Sequence, residues 1–237
     1  MTIPVEQVIR GNLLLSQLAV HERNAIHRAA EAVSLVAGES LLNATTRTSD
    51  VFFPTTCVVS VVRTLRDGRG MELALIGSEG MVGLDVFTAA RTHLDDAIVM
   101  SAGCAYRLPA EELRNQLRRG GGLQKALLRF MRALFAQVAQ TAVCSRFHAP
   151  EARLARWLML VSDRTSSLEL RVDASAATSM LAIDHDRAAV AIDRLRALRA
   201  ISLRDDRITI TSRETLEVSA CECYETLREE YERTLAT

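Results

Sequence analysis

Lysine is almost missing from this chain: Lys125 is the only one among 29 basic side chains. A phosphate loop needs a lysine directly after its glycine-rich turn, so that chemistry is excluded. No run of about eighteen uncharged apolar residues occurs, and a membrane-spanning helix is not expected. The opening MTIPVEQVIRG lacks the basic-then-apolar build of a signal peptide, which makes the cytoplasm the expected compartment. An excess of charge is missing too, since 29 basic and 29 acidic residues cancel. Internal repeats and low-complexity tracts are absent.

The five cysteines, Cys57, Cys104, Cys144, Cys221 and Cys223, are odd in number and follow no framework spacing, so they read as free, buried structural thiols. Cys221 and Cys223 are the only close pair. On one continuous helix their thiols point about 200° apart, and a metal pair is not expected there. No cysteine cluster near the N-terminus could hold an iron–sulfur centre. His21, His27, His93, His148 and His185 stand alone, without metal-ligand spacing. No nucleophile elbow with a Ser/His/Asp order appears. The expectation is therefore no enzyme, no metal and no cofactor.

Periodicity divides the 237 residues. From about Asn12 to Ala32, Leu14, Leu18, Ala25, Ile26 and Ala29 recur at helical spacing. Between about Val33 and Leu108, short β-rich runs (51–53, 58–62, 73–76, 97–100) alternate with turn residues, and Asp67-Gly68 marks a hairpin. Many short strands suggest a sandwich or roll. The run IGSEGMVGL, residues 76–84, sets Gly77, Gly80 and Gly83 among apolar side chains. Pro109-Ala110-Glu111-Glu112 opens a second helical region, whose long part from Leu123 to about Phe147 carries Leu123, Leu127, Phe130, Met131, Leu134, Val138 and Ala142 on one side. That stripe suits packing on the chain's own roll, a dimer seam, or both. His148-Ala149-Pro150 ends the helix. Beyond it come a helix with Leu154, Trp157, Leu158 and Val161 inward, two helices over Val172–Ala200, two short strands about Asp205-Asp206, and one charged helix from Glu214 to about Leu235.

This order, with the GMVG turn, RLARWLML (153–160), DRITIT (206–211) and the CECY…EYE tail, resembles the CRP/FNR superfamily of bacterial transcription regulators across nearly the whole chain. The resemblance implies an α+β protein: an N-terminal cyclic-nucleotide-binding-like β-roll (1–122), a long dimerisation helix (123–148) and a C-terminal winged helix-turn-helix (149–237). Gly80, Met81, Val82, Gly83 and Leu84 become candidate ligand-pocket residues, although tight strand connections explain the glycines as well. Leu127, Met131, Leu134 and Val138 become candidate dimer-helix residues. Relatives that bind cyclic AMP place an arginine on its phosphate, whereas Asp95 or Asp96 aligns there, so cyclic AMP is not the expected effector. The effector itself is not readable.

By the same resemblance, Asp173 caps the first reader helix, Ala182-Ile183 makes the turn, and Asp184 caps the second, with Met180, Leu181, Ile183, Ala188, Ile192 and Leu195 facing the core. His185, Asp186, Arg187, Ala189, Val190 and Arg194 are the candidate DNA-binding residues, and Arg187 is the one suited to a guanine edge. Three features weaken that reader. Ala182 stands where related turns carry glycine, the first helix opens on Ala174 and Ser175, and the wing carries Asp205 and Asp206. From Glu151 onward, 13 arginines face 16 carboxylates, a formal charge of −3. Two readings follow. One is a homodimeric regulator bound to palindromic double-stranded DNA, with RNA polymerase as a further contact; the other keeps the fold but acts mainly through protein partners.

Overall fold

The computed structural model describes residues 11–44, 46–88, 92–165, 167–171, 174–205 and 207–235. Helices α1 (Leu13–Ser16) and α2 (Val20–Ala29) come first. Asn12 caps α1: its Oδ1 accepts the Leu15 N–H at 3.0 Å, and its Nδ2 donates to the Pro54 and Gly80 carbonyls at 2.8 and 3.0 Å. A fully buried amide with both its donors satisfied thus ties the first helix to the backbone at Pro54 and in the Gly80 turn.

Seven strands follow among the described residues: β1 (Glu31–Leu35), β2 (Ser40–Leu42), β3 (Asp50–Pro54), β4 (Val58–Thr64), β5 (Gly70–Ile76), β6 (Asp96–Ser101) and β7 (Gly103–Pro109). They form antiparallel sheets ordered β1-β7-β3 and β2-β6-β4-β5. One hydrophobic core takes Leu35, Val51, Phe53 and Tyr106 from the first sheet and Leu42, Val59, Ile76 and Val99 from the second. The helical pattern expected to reach Ala32 gives way at Glu31, because β1 pairs with β7 from Glu31↔Arg107 to Leu35↔Gly103. The Asp67-Gly68 turn forms as expected, with Gly68 at φ 85°. Cys57 lies in this core, where burial pushes its thiol up to about 12.

After β7 come α3 (Ala110–Arg118), the long α4 (Gly122–Phe147) and α5 (Pro150–Thr165). The start of α4 is capped from α2, since Glu22 Oε1 accepts the Gly122 and Leu123 N–H groups at 2.7 and 3.3 Å. Next are β8 (Glu169–Arg171), α6 (Ala174–Leu181), α7 (His185–Ala197), β9 (Ile201–Arg204), β10 (Arg207–Ile210), α8 (Arg213–Ser219) and α9 (Cys223–Leu235). Strands β8, β10 and β9 make a third antiparallel sheet. The architecture is α+β: a β-roll, a long helix and a winged helix-turn-helix. No helix among the described residues is long and apolar enough to cross a membrane.

The chain divides into two compact units, one of Met1–Val61, Ile76–Phe135 and Tyr231–Thr237, the other of Val62–Leu75 and Ala136–Glu230. Helix α4 contributes to both. In the second unit the tail departs from the single helix expected over Glu214–Leu235. Ala220 is extended at φ −75° and ψ 153°, and α9 restarts at Cys223. No glycine or proline marks that break, so nothing in the local sequence signals it.

The GMVG segment is closed into the first unit. Val82 exchanges two backbone hydrogen bonds with Phe52 of β3, at 2.8 and 3.0 Å. Gly83 adopts φ 98° against Val51, and a Cβ on Gly80 would lie 2.2 Å from the Phe130 ring of α4. Changing Gly80→Ala should therefore cost about 1–3 kcal/mol by overpacking. Chemical denaturation should show that loss, and Phe130→Leu in the same chain should recover part of it.

Candidate nucleic-acid interface

The second unit builds a helix-turn-helix from α6 and α7, with α5 packed against both and against α8. Leu154, Trp157, Leu158 and Val161 of α5 are buried, as their spacing predicts, and so are Leu181, Ala188, Ile192 and Leu195. Met180 and Ile183 are only half-buried. The RLARWL segment has a structural basis. The Arg153 guanidinium donates to the Leu181 carbonyl at the end of α6, and burial holds its pKa below the usual guanidinium value. Trp157 Nε1 donates to Glu72 Oε1 at 2.8 Å.

Between α6 and α7 the chain turns at Ala182, whose φ is 49°. The left-handed conformation that glycine would adopt freely is thus carried by an exposed alanine. Asp184 then caps α7, its carboxylate accepting the Arg187 N–H at 2.9 Å. Asp173, expected to cap α6, lies outside the described residues, and so does Asp206 at the wing tip. At its other end α7 closes in a Schellman arrangement, with Ala200 N–H bonded to the Leu195 carbonyl at 3.0 Å and Arg199 left-handed at φ 57°. Non-glycine residues in left-handed backbone therefore bracket the helix on both sides. Asp205 at φ 46° supplies the wing's turn, a conformation aspartate tolerates better than most.

His185, Asp186 and Arg187 stand exposed on the first turn of α7; Val190 is exposed and Ala189 half-buried. Much of the remaining cationic surface is engaged. Arg194 pairs with Glu151, Arg196 with Asp193 at 2.8 Å, and Arg207 with Glu169 at 3.6 Å. Arg187 has no carboxylate or hydrogen-bond partner for its guanidinium among the described residues. Behind this face, Asp163 of α5 accepts from Arg213 of α8 and from the Tyr224 hydroxyl of α9 at 2.9 Å. Burial pushes the Tyr224 phenol up to about 12.

The candidates on the long helix divide by burial. Leu127 is 0% exposed and belongs to the roll's own core, and Leu134 packs against that core. Met131 and Val138 are half-buried, and the large apolar side chains presented outward are Leu128 at 46%, Phe135 at 75%, Val143 at 48% and Phe147 at 74% exposure. Of the ligand-pocket candidates, Gly80, Met81, Val82 and Gly83 are buried in the packed turn and Leu84 is half-buried. Asp96 accepts the Ala44 N–H at 2.7 Å, so that carboxylate already serves the roll. His93 is buried between Thr48 Oγ1 and Asp85 Oδ2, at 2.8 and 2.6 Å. What sequence spacing missed is Cys144, His148, Cys221 and Cys223, whose donor atoms the fold brings within 4.8 Å of one another.

No family model and no curated protein matches the chain. Solved structures do. The c-di-GMP responsive global regulator CLP of Xanthomonas campestris superposes with a TM-score of 0.65 at 14% identity, covering 82% of this chain and 100% of CLP. FixK2 of Bradyrhizobium japonicum gives 0.68 at 14% identity, covering 81% and 98%. A CRP-family transcriptional regulator of Thermus thermophilus gives 0.63 at 18% identity, covering 79% and 96%. The chain has the CRP/FNR-type fold.

The strained turn makes a direct prediction. Ala182→Gly should raise stability by about 0.5–1 kcal/mol, strain relief outweighing the added freedom of the unfolded chain. Urea denaturation should move to a higher midpoint with an unchanged slope.

Proposed function

We propose that this protein is a homodimeric, sequence-specific DNA-binding transcription regulator of the CRP/FNR type that works without cyclic AMP. One observation carries the reading: the exposed first turn of α7, with His185 and Arg187, stands on a helix-turn-helix scaffold next to a wing. An arginine there can bond guanine O6 and N7 together, a contact worth about 1–3 kcal/mol of discrimination. Two such helices in a two-fold dimer read half-sites about 34 Å apart, so the target is a palindrome.

Dimerisation falls to α4. Leu128, Met131, Phe135, Val138 and Ala142 recur at spacings of three and four residues, a heptad seam that keeps Met131 and Val138 of the expected set. RNA polymerase is the natural further partner of a regulator of this kind.

A second reading draws on the charge. The −3 balance from Glu151 onward, Asp205 at the wing turn and the carboxylates already holding Arg194, Arg196 and Arg207 all reduce attraction to phosphate. On that reading the fold persists and protein partners replace DNA.

Selection of genomic fragments by the purified protein, followed by titration of the best fragment across salt, separates the two. An enriched palindrome whose affinity falls steeply with salt supports the regulator; no enrichment supports the partner-binding reading. Within an enriched site, Arg187→Ala should remove about 1–3 kcal/mol of preference at one base pair per half-site and leave binding to unrelated DNA almost unchanged. Phe135→Glu should shift the protein from dimer to monomer in sedimentation while its thermal midpoint at low concentration stays near the parent's, because Phe135 is not part of the core.

A further inference from the structure

Four donor atoms from separate parts of the sequence meet inside the second unit. Cys144 lies in the last turn of α4, and His148 follows four residues later, so helical spacing stacks them on one face. Cys221 lies in the break between α8 and α9, and Cys223 opens α9. The two thiols diverge only if Cys221 sits on a helix; extended backbone at Ala220 lets both turn to the same side. Cys144, Cys221 and Cys223 are buried, His148 is mostly so, and all four donor atoms lie within 4.8 Å of one another.

The distances suit a metal. Bonds of about 2.3 Å to sulfur and 2.0–2.1 Å to nitrogen in a tetrahedron require S···S edges of about 3.8 Å and S···N edges of about 3.6 Å. Cys144 Sγ and Cys221 Sγ stand 3.5 Å apart, and Cys223 Sγ and His148 Nδ1 stand 3.4 Å apart. Outer partners are in place as well. His148 Nε2 is 3.2 Å from Glu222 Oε1, the carboxylate that fixes the ring's orientation, and Gln140 Nε2 donates to Cys223 Sγ at 2.9 Å.

Charge gives an independent argument. Arg156 is only 7% exposed, and its Nε and Nη1 have no hydrogen-bond partner among the described residues. Its charge acts on the Cys144 sulfur, and that of Arg153 on Cys144 and Cys221. Buried cations beside neutral thiols are unfavourable. Three thiolates around a divalent ion leave one net negative charge, which these guanidiniums would offset.

We propose that Cys144, His148, Cys221 and Cys223 bind one zinc(II) ion in a closed tetrahedral site. Binding releases three thiol protons, and the filled site fastens the break between α8 and α9 to the end of α4. Sulfur-rich, buried, four-coordinate donors select zinc over hard cations, and with no position left for water the role is structural. The proposal stands apart from the DNA-binding reading, because it concerns metal content and not ligand recognition.

Metal analysis of the full chain purified from zinc-supplemented medium should give one zinc per chain. The chelator-stripped chain given cobalt(II) should show the visible bands of tetrahedral cobalt with a sulfur-to-cobalt charge-transfer band. Cys144→Ser and Cys221→Ser should abolish binding. Glu222→Gln changes an exposed side chain that folding does not need, and it should weaken zinc affinity about 10-fold or more. Even if the cysteine variants fail to fold, the cobalt spectrum of the parent chain and the Glu222→Gln affinity remain decisive. A folded parent without tetrahedral cobalt bands overturns the proposal. So does a Cys144–Cys221 disulfide found in its place, an iron–sulfur chromophore, or zinc retained in full by a folded Cys221→Ser chain.

Discussion

The close approach of the Phe130 ring to the backbone of Gly80 settles how α4 sits on the roll. Only a residue without a side chain admits the ring, and the Glu22 cap at Gly122 fixes the helix start beside it. Between them they set the rotation of α4 about its axis. Leu123, Leu127 and Phe130 then point inward, and the next face, through Leu128 and Phe135, is left outward. The face left for the proposed seam is thus chosen by a contact elsewhere on the helix, through a glycine whose sequence setting suggests a ligand loop.

In the second unit, arginine fills structural roles that lysine could not. Arg153 closes the end of α6 from inside the protein, and Arg213 joins Asp163 and Tyr224 across three helices. A planar, permanently charged fork suits such multiply bonded geometry, and at the buried Arg153 a lysine would lose its charge more readily. This use of arginine explains how a helix-turn-helix can be rich in basic residues and still leave little free positive charge on its surface. Most of its guanidiniums hold the scaffold or neighbouring carboxylates, and few are left to attract phosphate.

The architecture is legible in the sequence where side-chain period and turn chemistry agree: β3 through β6, the Asp67-Gly68 hairpin, α4 and α5, and the Asp184 cap. Local pattern fails where tertiary pairing overrides it. In β1 only Leu35 is buried, so Glu31–Leu35 shows no alternation and is a strand because β7 lies beside it. The stripe on α4 reads correctly as apolar, but one face of it belongs to the roll, and no periodicity can apportion a wide stripe between two neighbours. Among the candidate DNA-binding residues, exposure of His185 and Arg187 follows from the helix phase. The engagement of Arg194 by Glu151 does not, since the partners are 43 positions apart. The four-donor cluster is hidden for a similar reason: its halves lie more than seventy residues apart, and the helix break that aims Cys221 has no breaker residue.

The order of pairing in the roll has a consequence for its synthesis. Among the described residues, strand β1 pairs only with β7, from Glu31↔Arg107 onward, and β3 pairs with β7 as well, from Asp50↔Pro109. Neither can join a sheet until the chain has been made through Pro109. The β4–β5 hairpin closes on its own turn and can form early. A growing chain therefore carries the apolar run Val51-Phe52-Phe53 without its sheet neighbour for more than fifty residues of elongation, bridged at Phe52 alone once Val82 has been made, and that interval is when it most needs protection from aggregation.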